Sequence, residues 1–135
     1  MHVQYVAICE HVIIGADGKP SLIGVFSEIQ APQVPVTIPR LAFAARLLFT
    51  AEEAGKTYKI EVVITDPNKN EVAHLNGEVG VPTPPPGIDS LEVNLPMVFD
   101  MFGLPDFGRY TFMLVVDGKP TAGVQMAVRQ APPVA

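Results

Sequence analysis

A chain of 135 residues, 48% hydrophobic and 17% charged, has the length of one domain and enough apolar side chains to fill a core without metal or disulfide staples. Its formal charge of −5, with nine Lys and Arg scattered singly, offers no basic stripe to phosphates and speaks against nucleic acid as a partner. No stretch approaches the roughly 18 uninterrupted apolar residues of a membrane span, and the single cysteine, Cys9, leaves no internal disulfide framework and points to a reducing, cytoplasmic compartment.

The opening run from Met1 to Glu10 lacks a basic leader and is interrupted at Gln4 and Glu10, so no signal peptide is expected. Strands are predicted near Val3 to Ile14 and Leu22 to Gln30. The next segment, Leu41 to Gly55, is rich in Ala and Leu and closes on a glycine, as a helix would. At period two, however, Leu41, Phe43, Ala45, Leu47 and Phe49 share one face, which favours a strand. Tyr58, Ile60, Val62 and Ile64 alternate with polar neighbours as a half-buried strand does.

Asp66-Pro67-Asn68-Lys69-Asn70 supplies turn chemistry before a strand from about Glu71 to Val79, so these two strands form a hairpin. Pro82-Thr83-Pro84-Pro85-Pro86-Gly87 lacks the N–H groups of a ladder and reads as a stiff crossover within one domain. Leu91, Val93, Leu95, Met97 and Phe99 mark another strand, Tyr110 to Val116 the following one, and Ala122 to Val128 the last. Asp17-Gly18-Lys19-Pro20 and Asp117-Gly118-Lys119-Pro120 repeat one tetrapeptide at two expected hairpin turns, where Asp-Gly provides the positive φ.

The most specific pattern is Asp106-Phe107-Gly108-Arg109-Tyr110-Thr111-Phe112, which resembles the tyrosine corner of immunoglobulin-like sandwiches: a buried ring opens the penultimate strand and its hydroxyl bonds backbone a few residues upstream. Asp106, Gly108 and Tyr110 are its structural residues. With about eight predicted strands, the expected fold is an all-β, immunoglobulin-like antiparallel β-sandwich of 7 to 8 strands with Greek-key-type connections. It forms a single domain over 1–130, with a frayed tail over 131–135. The chain has no tryptophan and no second cysteine, unlike antibody domains. The opening Tyr-Val-Ala strand, the Ile-Gly-Val-Phe strand, the Pro-rich connection into Arg40 and the closing Gly-Arg-Tyr-Thr-Phe are similar to those of a family of small uncharacterised bacterial proteins. That resemblance implies no activity.

Catalytic constellations are missing from the sequence. Ser21, Ser27 and Ser90 lack a nucleophile elbow, and Cys9 sits among apolar residues with no adjacent Lys or Arg. His2, His11 and His74 stand apart, which leaves zinc without support, and no cofactor is expected. Asp66 to Glu71 carries oxygen side chains in the manner of a calcium loop, but Glu71 replaces the sharp-turn glycine, so a plain hairpin turn accounts for it better.

Apolar excess marks the expected interface. The first strand is apolar on both faces, with Val6, Ile8, Val12 and Ile14 opposite Val3, Tyr5, Ala7, Cys9 and Ile13, while a two-layer sandwich buries only one, and the expected contact is placed on Val6, Ile8 and Val12. The segment from Pro96 to Phe107 places Met101, Phe102 and Leu104 beyond the strand's expected end near Phe99, either as a lid over the core or as a partner site. The resulting expectation is a non-enzymatic protein-binding module that self-associates or docks on a protein partner. The alternative is a small-ligand carrier, or an accessory domain of an enzyme complex, with a pocket lined by Phe99, Phe102, Phe107 and Tyr110.

Overall fold

The computed structural model describes residues 1–132, all-β apart from one turn of 3-10 helix at Ala51–Glu53. One sheet is ordered β2-β1-β4-β7, from β1 (His2–Ile14), β2 (Pro20–Val25), β4 (Val36–Thr50) and β7 (Ser90–Leu104). The other is ordered β3-β9-β8-β5-β6, from β3 (Glu28–Ala31), β5 (Thr57–Thr65), β6 (Glu71–Gly80), β8 (Gly108–Val116) and β9 (Lys119–Gln130). All neighbours are antiparallel except β3 and β9, which run parallel. The two sheets pack as a sandwich, as expected. Of the expected tail, Ala131 donates its N–H to the Ala31 carbonyl at 2.8 Å, and 133–135 lie outside the described residues.

Period-two alternation produces these strands because inward side chains from both sheets must meet in one layer. Leu41, Phe43, Ala45, Leu47 and Phe49 of β4 face Ile60, Val62 and Ile64 of β5 and Tyr110, Phe112 and Leu114 of β8 in a single core. The Ala-rich segment is therefore a strand up to Thr50, and only its polar end coils into the 3-10 turn. Glu53 closes that turn by accepting the Thr50 N–H at 3.0 Å, and it also takes the Met1 ammonium at 2.6 Å. Hydrogen bonding to that ammonium holds the Glu53 carboxyl down to about 2.

The structure describes nine strands where eight are expected, because the predicted Leu22 to Gln30 strand is two. Its first part ends at Val25, next to Gly24 (φ 67), and the chain crosses at Phe26 and Ser27 from one sheet to the other, where β3 joins β9. The proline-rich segment makes a further crossover between the sheets, from β6 to β7, as its composition predicts.

Strand β7 does not end near Phe99 but continues to Leu104, paired with β4 throughout. Its inward parity changes on the way: Leu95 and Phe99 are buried, then Phe102 and Leu104. Met101 takes φ 53 between them, opposite Pro39, which has no N–H to give the ladder. The expected lid or loop is thus a kinked strand. Met101 points out, 69% exposed, while Phe102 packs with Phe99 at 5.6 Å and Phe112 at 6.1 Å between ring centroids.

Candidate functional site

Strand β1 serves two partners in succession. Its first half, His2 to Cys9, pairs with β4, and its second half, Cys9 to Ile14, pairs with β2. Beyond Cys9 the strand leaves β4 and the hairpin doubles back over the outer face of its own sheet. The Gly18 carbonyl at the hairpin tip accepts from Asn94 Nδ2 of β7 at 3.3 Å. Between hairpin and sheet, Pro20 and Leu22 overhang Tyr5, Ala7 and Arg46. Cys9, Ala42 and Ala44, which lie outside the inter-sheet core, are buried. Small residues are required there because the hairpin must approach the sheet closely.

This geometry corrects the reading of the first strand. A bulge at Gln4 shifts the register between Val3 and Tyr5, so Val3, Val6 and Ile8 face the core while Tyr5, Ala7 and Cys9 face the hairpin. Up to Cys9, both apolar faces of the strand are consumed within one chain. Among the expected interface residues, Ile8, Phe102 and Leu104 are core, Val6 packs against it, and Val12 is half-buried. Only Met101 is exposed as expected. The expected pocket is filled as well, since Phe99, Phe102 and Tyr110 are buried and Phe107 packs on the same core.

Among the described residues, most of the exposed large apolar side chains lie instead on the hairpin, the others being Ile88, Val98 and Met101. Ile13 (53%), Ile14 (42%), Ile23 (47%) and Val25 (62%) are open to solvent, with Ile13, Ile23 and Val25 on adjoining stretches of β1 and β2. The sequence carried this signal in the unbroken Val12-Ile13-Ile14 run before a turn: the two-face argument includes Ile13 and Ile14, but the expected interface stops at Val12.

A second feature opens at the base of the hairpin, where β1 bends away and the chain switches sheets. It is a cleft of about 440 Å³ between Glu10 and His11 of β1, Phe26 and Glu28 at the crossover, and Ile38 and Arg40 of β4. Gly24 makes room for one wall, since a Cβ there would stand 2.8 Å from the Glu10 side chain.

The turn into β8 brings Asp106, Gly108 and Tyr110 together. Tyr110 is fully buried, and its hydroxyl donates to the Asp106 carbonyl at 2.8 Å and accepts the Asp106 N–H at 2.9 Å. Burial pushes the Tyr110 phenol up. Gly108 takes φ 127 and lets Pro67 pack on its backbone, where a Cβ would meet Pro67 Cγ at 2.7 Å. The calcium-like segment is a closed turn: Asp66 Oδ1 accepts the Asn68 and Asn70 amides at 2.9 Å each. Cys9 is a buried thiol whose pKa is raised by desolvation, the opposite of an activated nucleophile. No helix among the described residues is long and apolar enough to cross a membrane.

No curated protein matches the chain. A family model described as a family of unknown function (DUF6941) matches residues 4–129, almost the whole sandwich from the first strand to the last, and the chain belongs to that family.

Proposed function

We propose that this chain is a non-enzymatic, immunoglobulin-like binding module of the cytoplasm that self-associates through the exposed face of its β1–β2 hairpin. The likeness to immunoglobulin domains is supported by the strand order, by the parallel β3–β9 edge pairing and by the corner at Tyr110.

The observation that carries the binding role is the grouping of Ile13, Ile14, Ile23 and Val25 on one folded-over hairpin. Exposed apolar side chains gathered on one element, beside an edge strand with unpaired main-chain groups, are the usual ingredients of an association surface. β2 is that edge strand. A second copy supplies the same apolar row and the same free edge, so a two-fold pairing is self-complementary.

Size-exclusion chromatography with light scattering over a dilution series tests this reading. The chain should be a dimer or larger at tens of micromolar, and Ile23→Asp with Val25→Asp should raise the dissociation constant by about tenfold or more, with the far-UV circular dichroism unchanged. A wild-type chain that stays monomeric at that concentration overturns it.

A further inference from the structure

The cleft at the base of the hairpin has a chemistry distinct from the apolar face above it. Its floor is apolar: Phe26, Ile29 and Ile38 are half-buried and packed against the sandwich core. Its rim carries both signs of charge, with Glu10 and Glu28 on the β1 and crossover side and Arg40 on the β4 side. Glu28 is engaged by Arg129 at 2.6 Å. Among the described residues neither Glu10 nor Arg40 has an ion-pair partner within 4.0 Å, although Arg40 is the cross-strand neighbour of Asp100. A free carboxylate and a free guanidinium thus face one cleft without neutralising each other.

Such a rim favours a ligand that carries its own separated pair of charges. An ammonium group fits the acidic side beside Glu10, and a carboxylate fits the planar fork of Arg40, which can bind it through two parallel N–H donors. The apolar floor between them takes a hydrocarbon side chain. The volume, about 440 Å³, falls in the range of small-molecule sites, roughly 300–1,000 Å³. We infer that this cleft is a binding site for a small zwitterion with an apolar body, of the size and chemistry of an aliphatic or aromatic dipeptide, held by Glu10 at its amino end and Arg40 at its carboxyl end. The two charged residues that hold the ligand, Glu10 and Arg40, are not among the apolar residues proposed for self-association, although His11 of the same cleft is the cross-strand neighbour of Ile23.

Titration of the isotopically labelled chain with L-leucyl-L-leucine, followed by amide resonances, reads the site directly. Saturable shifts should fall on Glu10, Phe26, Ile29 and Arg40. The N-acetylated dipeptide, which lacks the ammonium, and the C-terminal amide, which lacks the carboxylate, should each bind about tenfold or more weakly, since each loses a charge-assisted contact. Arg40→Gln should remove the preference for the free acid over the amide and leave the penalty for N-acetylation, while Glu10→Gln should do the reverse. Both side chains are exposed, so both variants should keep the wild-type spectrum elsewhere. The inference is overturned by the absence of saturable shifts in the cleft, by equal binding of the free and capped dipeptides, or by Arg40→Gln and Glu10→Gln leaving both preferences intact. A wild-type chain that stays monomeric at tens of micromolar but retains dipeptide binding would remove the function proposed above and leave this site standing.

Discussion

A single hydroxyl ties the Tyr110 corner together from both sides, donating to the Asp106 carbonyl and accepting the Asp106 amide. Removing it leaves two backbone groups without their partner beside a fully buried ring, so the effect should exceed that of one ordinary hydrogen bond. Tyr110→Phe keeps the ring and its packing, and should lower the free energy of unfolding by about 1.5–3 kcal/mol in urea titration. A loss below about 0.5 kcal/mol would mean that the corner does not restrain the β7–β8 connection. This feature was legible in the sequence because every participant lies within a few residues: Asp106 supplies the backbone, Gly108 the positive φ, and Tyr110 the ring. The contact of Pro67 with Gly108 was not legible, because it joins two turns brought together only by the pairing of β5 with β8.

At the scale of the strand, the kink shared by β4 and β7 sets which side chains the sandwich keeps. Strict alternation from Leu95 through Phe99 would carry Met101 inward and Phe102 outward. The left-handed conformation at Met101, facing Pro39, reverses that assignment. Phe102→Ala should therefore cost about 3–5 kcal/mol, reduced where neighbouring rings close the space. Met101→Gly should be neutral or raise stability by up to about 1 kcal/mol, since glycine adopts positive φ without steric cost. Denaturant midpoints of the two variants decide the matter, and comparable losses for both would contradict the reversal. Strand existence was readable from periodicity in β4, β5, β8 and β9, where inward parity is kept from end to end of the predicted runs. What failed was parity across irregularities. The bulge at Gln4 and the kink at Met101 each displace the pattern, and a displaced pattern set core residues such as Ile8 and Phe102 among the candidate interface residues.

For the molecule as a whole, the consequential feature is that one sheet is covered by its own hairpin, which hides Cys9 behind it. The flap is held by few polar ties, of which Asn94 Nδ2 to the Gly18 carbonyl at the tip is one. The Asn94 Oδ1 and Arg46 Nε atoms beneath it are buried without a hydrogen-bond partner, so this layer is less fully satisfied than the core. Regions of that kind open locally at a lower free energy than the whole domain unfolds. The Cys9 thiol reports such opening, because a disulfide reagent reaches it only when the hairpin lifts or the chain unfolds. Asn94→Ala removes the tip contact, and one neutral hydrogen bond of about 0.5–1.5 kcal/mol corresponds to an increase of roughly two- to tenfold in the open population. The rate of Cys9 labelling should rise by that factor while the urea midpoint of the domain moves little. Equal rates in wild type and variant, both matching global unfolding, would show that the hairpin and sandwich open as one unit. The same measurement tests the proposed self-association: a second copy seated on Ile13, Ile23 and Val25 would press the hairpin onto the sheet, so labelling of the wild type should slow as protein concentration rises, and Ile23→Asp with Val25→Asp should abolish that dependence.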